Sequence, residues 1–228
     1  MDPKRLVGIA LICFGVVFYV QRNIVEAVQG HGNDFAHLYL GARALQQNVN
    51  PYDGAEIRRL AEQSGIPRMN PYVYPPLMAI AMKPLAGLRY DEARQIWFLV
   101  NQVFLLLSFV LLLLLWRPKS PMLAAGFLAV VYAFFFPLTR TLTAGQLNAL
   151  LLLLLAVAAC LERSGWSFPA GAVMGLASII KVYPAIFLVY YVGRGNWKAV
   201  CSMVIAIVVL LGISVSVAGV KTHLDYFP

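Results

Sequence analysis

The sequence predicts an all-α, polytopic membrane protein, and three observations predict it. Hydrophobic residues make up 61% of the chain and charged ones only 12%, where soluble domains carry about 25% charged residues. Mean hydropathy is +0.74. Apolar runs recur that are long enough to cross a hydrocarbon core of roughly 30 Å, which takes about 20 helical residues.

Seven such runs follow one another: about Leu6 to Val20, Tyr72 to Leu88, Ile96 to Trp116, Met122 to Leu138, Leu147 to Leu161, Phe168 to Val192 and Val200 to Val220. Pro75, Pro76, Lys83 and Pro84 interrupt the second. Such residues are tolerated at membrane depth where neighbouring helices or a cavity satisfy the freed backbone, so a re-entrant segment is the alternative there. The first run follows Lys4 and Arg5 as a signal peptide would, but no small-residue cleavage site comes after it, and it reads as a retained anchor. The expected organisation is a single membrane domain over 1–228, with an outer loop at 21–71 and a helical bundle at 72–220.

Basic residues in short loops set the orientation. With a cytoplasmic N-terminus, seven spans put Lys4, Arg5, Lys83, Arg89, Arg94, Arg140, Arg194 and Lys198 inside, and Arg117, Lys119, Arg163 and Lys221 outside. The net charge of +8 is then the ordinary consequence of that rule and of anionic headgroups, and calls for no nucleic acid. Cys13, Cys160 and Cys201 lie in or at the ends of apolar runs without metal or disulfide spacing, and His31, His37 and His223 show no ligand pattern. No metal or cofactor is implied.

Chemistry is therefore sought in the first loop, which holds five of the ten carboxylates. Two short helices are legible in it. Asn33 is a good N-cap, and Phe35, Leu38, Tyr39, Ala42 and Leu45 form one apolar stripe, which predicts an amphipathic helix lying on the membrane surface. Asn50, Pro51 and Tyr52 make a turn. Asp53 and Glu56 then open a second helix carrying Ile57, Leu60 and Ala61, stopped by Ser64 and Gly65. Asp34 stands at the start of the first helix, at the membrane boundary.

The ordered segments "NDFAHLYLGARALQQNVNPYD", "YVYPPLMAIAMKPLAGL", "GQLNALLLLLL" and "MGLASIIKVYPAIFLVYY" resemble the family-87 membrane glycosyltransferases of the GT-C class. Polyprenyl-phosphate-mannose-dependent mannosyltransferases belong to that family. The resemblance implies a GT-C-like N-terminal half in the plasma membrane, with its active side extracytoplasmic. It implies an inverting glycosyltransferase, a hexosyltransferase in the first instance, that passes a hexose or pentose, mannose being the expected sugar, from a polyprenyl phosphate to a lipid-linked or cell-envelope glycan acceptor. Family members run well over a hundred residues further, so the chain looks like an N-terminal portion.

Inverting transfer needs a carboxylate to take the acceptor proton, while a phosphate leaving group needs cations or donors rather than a strong acid. The resemblance places Asp34 as the general base; the plain alternative is an acid favouring a helix N-terminus. The other candidates for contact with the substrates are His37, Tyr39, Arg68, Tyr74, Gln146, Asn148 and Lys181, of which the family pattern includes the Gly145–Gln146 pair. Each also has a structural reading: His37 as a polar edge residue, Arg68 as a solvated arginine, Tyr74 with Pro75 and Pro76 as a bend, Gln146 and Asn148 as a helix cap. Lys181, an ammonium inside a long apolar run, needs either an anionic partner in a cavity or a route for snorkelling. The seven-span topology puts Gln146 and Asn148 on the cytoplasmic side, so either they are structural there or the fourth and fifth spans are broken and dip into the core. A small transporter and a noncatalytic remnant are the competing functions.

Overall fold

The computed structural model describes residues 2–30, 32–66 and 72–226. All its regular elements are helical. In chain order they are α1 (Pro3–Tyr19), a π-helical turn (Val20–Val25), α2 (Glu26–Gln29), α3 (Asn33–Gln46), α4 (Gly54–Gln63), α5 (Pro76–Ala81) and α6 (Lys83–Ala86). There follow α7 (Tyr90–Trp116), α8 (Pro121–Phe134), α9 (Phe136–Ala144), α10 (Asn148–Arg163) and α11 (Ser167–Ile180). A 3-10 turn (Tyr183–Ile186), α12 (Phe187–Gly193), α13 (Trp197–Ala218) and α14 (Val220–Leu224) complete the chain. They form two compact units, Met1–Gly32 with Phe98–Ala156 and Asn33–Trp97 with Val157–Pro228.

In the first unit α1, the π turn and α2 make one apolar helix over Pro3–Gln29. Asp2 caps it, its carboxylate accepting from the Lys4 amide at 3.1 Å, and Pro3 sits where a missing N–H costs nothing. Alpha-carbon hydrogens take the place of side chains where α1 meets α8. A Cβ on Gly8 would lie 2.6 Å from the Met122 backbone, one on Gly126 2.7 Å from the Gly8 carbonyl, and one on Gly15 2.7 Å from the Ala129 backbone. Residue numbers rise together along this seam, so α1 and α8 run in the same direction. By contrast α7 opposes both. The Tyr19 hydroxyl donates to Gln102 Oε1 at 2.7 Å, Phe109 meets Tyr132 at 5.5 Å, and Trp116 meets Phe127 at 6.2 Å.

That geometry corrects the predicted topology. The chain leaves the first helix and enters α7 at the same end, so residues 30–89 make no net crossing. The expected second span, Tyr72 to Leu88, is instead two helices of six and four residues, far short of the bilayer. Pro84 has no N–H for a continuing helix, and Met82 ends α5. The fourth expected span is also broken: α8 and α9 meet at 58°, with Pro137 just inside α9. Three helices are long and apolar enough to cross, Pro3–Gln29, Tyr90–Trp116 and Trp197–Ala218, or four if the bent pair counts as one. Seven are not present among the described residues.

The break after α8 frees buried carbonyls, and Asn23 answers them. Fully buried, it donates to the carbonyls of Tyr132 and Ala133 at 3.5 and 3.2 Å, and its Oδ1 accepts from the Thr139 hydroxyl at 2.7 Å. Asn23 lies in the π turn, a widened stretch of helix of the kind found at functional or constrained places. Lys4 and Arg5 thus share an end of this unit with Arg117 and Lys119, which the seven-span scheme put on opposite sides.

In the second unit α11 and α13 run in the same direction. Gly171 has no room for a Cβ beside Ala199, and one on Gly175 would lie 2.7 Å from the Met203 carbonyl. The chain between them turns back, since Asn196 donates to the Ser167 hydroxyl at 3.1 Å and Tyr190 reaches Glu162 at 3.5 Å. The expected sixth span, Phe168 to Val192, is therefore a hairpin of short helices. Its hinge is Lys181, which has extended backbone. Arg163, expected on the side opposite Arg194 and Lys198, shares their end.

The expected surface helix is corrected too. Helix α3 starts on Asn33, one residue earlier than a cap there would allow, and is buried on every side. Beyond the predicted stripe, Ala36, Leu40, Gly41 and Ala44 are small or apolar and are also covered. Phe35 lies against Tyr90 and Trp97 at 5.9 and 6.2 Å, and the Tyr72 ring fills the place of a Gly41 side chain. Helix α4 follows expectation. Asp53 accepts from the Ala55 and Glu56 amides at 2.9 and 3.3 Å, Ile57, Leu60 and Ala61 are buried, and Ser64 ends it. Glu56 does not close a capping box; it pairs with Arg59 at 2.8 Å.

Two outcomes are expected. Asn23→Leu strands two buried carbonyls and a hydroxyl, at roughly 1–3 kcal/mol, and should lower the melting temperature in detergent. In sided cysteine labelling, Arg89→Cys and Gln29→Cys should react from one face of the membrane and Lys119→Cys from the other; a seven-span chain would separate the first two.

Candidate functional site

Asp34 is one residue inside α3, partly buried. Its carboxylate is close enough for its charge to act on both the Tyr74 phenol and the Lys181 ammonium. Three separate stretches bring these groups together. A buried helix fixes Asp34, the extended chain before α5 delivers Tyr74, and the hinge after α11 delivers Lys181. The hinge explains Lys181: it interrupts the apolar segment at a tip rather than burdening the middle of a span.

Tyr74 is buried, and its phenol is pushed up to about 12, first by that burial and then by the Asp34 carboxylate. Around it stand other tyrosines. Tyr72 lies 6.1 Å from Tyr74 and 5.4 Å from Tyr52, and Tyr226 lies 5.7 Å from Tyr52. The Tyr52 hydroxyl donates to the Tyr74 carbonyl at 2.7 Å. Asn50 donates to Asp225 Oδ2 at 2.7 Å, tying the chain beyond α13 to the turn before α4. Beside that tie a polar recess of about 340 Å³ is lined by Asn48, Asn50, Lys221, Thr222 and Asp225, group types that hydrogen-bond hydroxyl-rich molecules.

The other expected site residues fare differently. His37 is buried, 6% exposed, not at a water-facing edge, because α3 is covered on that face also. Tyr39, expected to meet substrate, is committed elsewhere. It is 1% exposed, donates to the Leu88 carbonyl at 2.8 Å and accepts from Arg43 at 2.6 Å. Arg68 lies outside the described residues.

Gln146 and Asn148 belong to the first unit and shape the α9–α10 turn. Gly145 is left-handed (φ 72°), the Gln146 amide donates to the Thr141 carbonyl at 2.8 Å, and Asn148 donates to Gln146 Oε1 at 2.6 Å. The Gly32 amide donates to the Thr143 carbonyl at 3.2 Å, so this turn stands at the end of the unit where the first helix finishes. That removes the topological objection to Gln146.

Sequence reasoning missed Asn23 and the Tyr52–Tyr226 pair. A polar residue at the end of an apolar run was the available signal for Asn23. No local signal marks two tyrosines so distant in the chain.

Fold and site together define a helical membrane protein with an acid, an amine and a phenol gathered at one end of a helical hairpin. The chain belongs to glycosyltransferase family 87, whose model matches residues 72–228. It is 28% identical over 157 residues to the polyprenol-phosphate-mannose-dependent alpha-(1-2)-phosphatidylinositol mannoside mannosyltransferase of Mycobacterium tuberculosis, covering 62% of this chain and 36% of that one. It is 29% identical over 138 residues to the Mycolicibacterium smegmatis protein of the same description, covering 54% and 31%. A pentamannoside mannosyltransferase of M. smegmatis is 28% identical, covering 67% and 37%. The chain thus spans about a third of the length of the curated relatives it matches. No solved structure matches it. The family match includes Tyr74, Gln146, Asn148 and Lys181 and begins after Asp34.

The Tyr74 phenol gives a direct check on the cluster. Its neutral form is favoured in the folded protein, so its contribution to stability is intact below pH 10 and is lost as pH rises towards about 12. In ultraviolet difference titration against Tyr74→Phe, Asp34→Asn should lower the Tyr74 transition while leaving it above 10, since burial, the larger cause, remains.

Proposed function

We propose that this protein is a membrane glycosyltransferase that transfers a hexose, mannose by analogy with the relatives' descriptions, from a polyprenyl phosphate to a lipid-linked or cell-envelope glycan acceptor, with inversion. The observation that carries the reading is that the Asp34 carboxylate lies within electrostatic reach of the Lys181 ammonium. In the proposed reaction Asp34 takes the proton of the attacking acceptor hydroxyl as the new glycosidic bond forms. The bond from the anomeric carbon to the phosphate oxygen breaks, and Lys181 holds the polyprenyl phosphate that leaves with its electron pair. Such a leaving group needs charge stabilisation and no protonation by an acid.

The proposed active side is extracytoplasmic, in the plasma membrane. Lys4, Arg5, Arg117 and Lys119 stand at one end of the first unit and Arg163, Arg194 and Lys198 at one end of the second, while Lys83 and Arg89 stand in the connection that enters α7 from the other end. The inside rule favours the cytoplasm for such ends, and Lys181 lies at the opposite end of α11 from Ser167. The two features that suggested a transporter, a charged residue within a span and a proline-broken span, are a hinge residue and a pair of short helices.

The test is sugar transfer by membranes carrying the native-length protein, supplied with polyprenyl-phosphate mannose. Asp34→Asn should lower kcat by about 10²- to 10⁴-fold, the usual worth of a positioned base, with donor binding retained. Lys181→Gln should raise the donor KM and Lys181→Arg should restore it. Wild-type transfer by Asp34→Asn would return Asp34 to helix stabilisation.

A further inference from the structure

Two recesses open along one face of α1, both within the first unit. One, of about 590 Å³, lies where α1 and α8 begin. Lys4, Arg5 and Lys119 rim it together with Asp2, over apolar walls that include Ile9 and Met122. The other, of about 430 Å³, lies between α1, α7 and α8. Its lining is almost wholly apolar and includes Ile12, Val16, Leu105, Leu106, Phe109 and Ala129.

The recesses are continuous in register. Arg5, Ile9, Ile12 and Val16 recur at four- and three-residue steps and so share one side of the helix. From Arg5 to Val16 this face runs about 16 Å at roughly 1.5 Å per residue. That is the depth of one leaflet, half of a hydrocarbon core of about 30 Å.

Charge defines the shallow end. Lys4, Arg5 and Lys119 enter no ion pair among the described residues. The Asp2 carboxylate is engaged in capping α1 at the Lys4 amide. The 14-residue helix α8 starts at the same place, and Ser120 does not cap it with its side chain, so its amide end adds positive potential. A cationic recess in line along α1 with an apolar groove about a leaflet long has the two-part chemistry of a glycerophospholipid rather than of a soluble anion.

We propose that this face of α1 binds one anionic phospholipid, with its headgroup phosphate among Lys4, Arg5 and Lys119 and an acyl chain along Ile9, Ile12 and Val16 into the groove between α1, α7 and α8. The site is distinct from the Asp34 cluster and does not depend on the proposed reaction. It would add to the hold of α7 on the unit, which rests on the core around Leu105 and Tyr132 and on the Tyr19–Gln102 hydrogen bond.

Protein purified in neutral detergent and titrated with phosphatidylglycerol, phosphatidylcholine or glycerol phosphate tests this, read by native mass spectrometry and melting temperature. Phosphatidylglycerol alone should be retained and should raise the melting temperature. Exchanging all three cations, Lys4→Gln with Arg5→Gln and Lys119→Gln, should weaken its binding about a hundredfold, given the worth of three basic residues near an anionic headgroup. Val16→Trp, which fills the channel from an exposed position, should weaken phosphatidylglycerol binding with all three cations in place. Equal retention of phosphatidylcholine, an unchanged triple variant, or an equal effect of glycerol phosphate would each overturn the proposal.

Discussion

The glycine seam between α1 and α8 is the constraint on which the rest of the first unit depends. With no Cβ on Gly8, Gly15 or Gly126, backbone meets backbone. In a membrane, where apolar surface gains little by leaving lipid, close packing of this kind is a main source of helix association. A parallel pair of helices joined through α7 obliges α7 to run the other way, and therefore obliges the chain between α2 and α7 to start and finish on one side. The short helices α5 and α6 follow from that obligation as much as from their prolines.

Breaking α8 from α9 has a cost, because buried carbonyls freed from a helix have no water to turn to. Asn23 meets it with one side chain, its amide serving two carbonyls and its oxygen one hydroxyl. The π turn places that side chain where an uninterrupted α-helix would have carried it round to another face. The second unit breaks its helical hairpin at Lys181 in a comparable place, with a cation at the tip instead of an amide.

The proposed site lies in the second unit, where the Lys181 hinge, the start of α3 and the chain before α5 come near one another. A carboxylate at the start of a buried helix, a phenol on an extended strand of chain and an amine at a hinge belong to three parts of the sequence. Their proximity supports acid–base work beside an anion. Family membership is what ties that chemistry to the proposed glycosyl transfer, and the basic rim at the start of α1 is a separate feature.

Much was legible in the residues alone. Apolar run length identifies a membrane protein because the bilayer demands it, and Asp53 and the Ile57–Leu60–Ala61 spacing identify α4 because capping and period are local, while the choice of Asp34 from the acid-bearing first loop is a proposal. What only the tertiary structure decided is non-local. Counting runs gave seven spans because hydropathy does not reveal direction, and a run broken by Pro84 or hinged at Lys181 has the composition of a crossing without its geometry. The stripe on α3 looked one-sided because small residues such as Ala36 and Gly41 carry no periodic signal, yet they are what allow a Tyr72 ring to close over the other side. Tyr39 likewise has a partner that no spacing reveals, the Leu88 carbonyl, since a hydrogen bond across the fold leaves no trace in the sequence around either residue, whereas the Asn148–Gln146 bond is local.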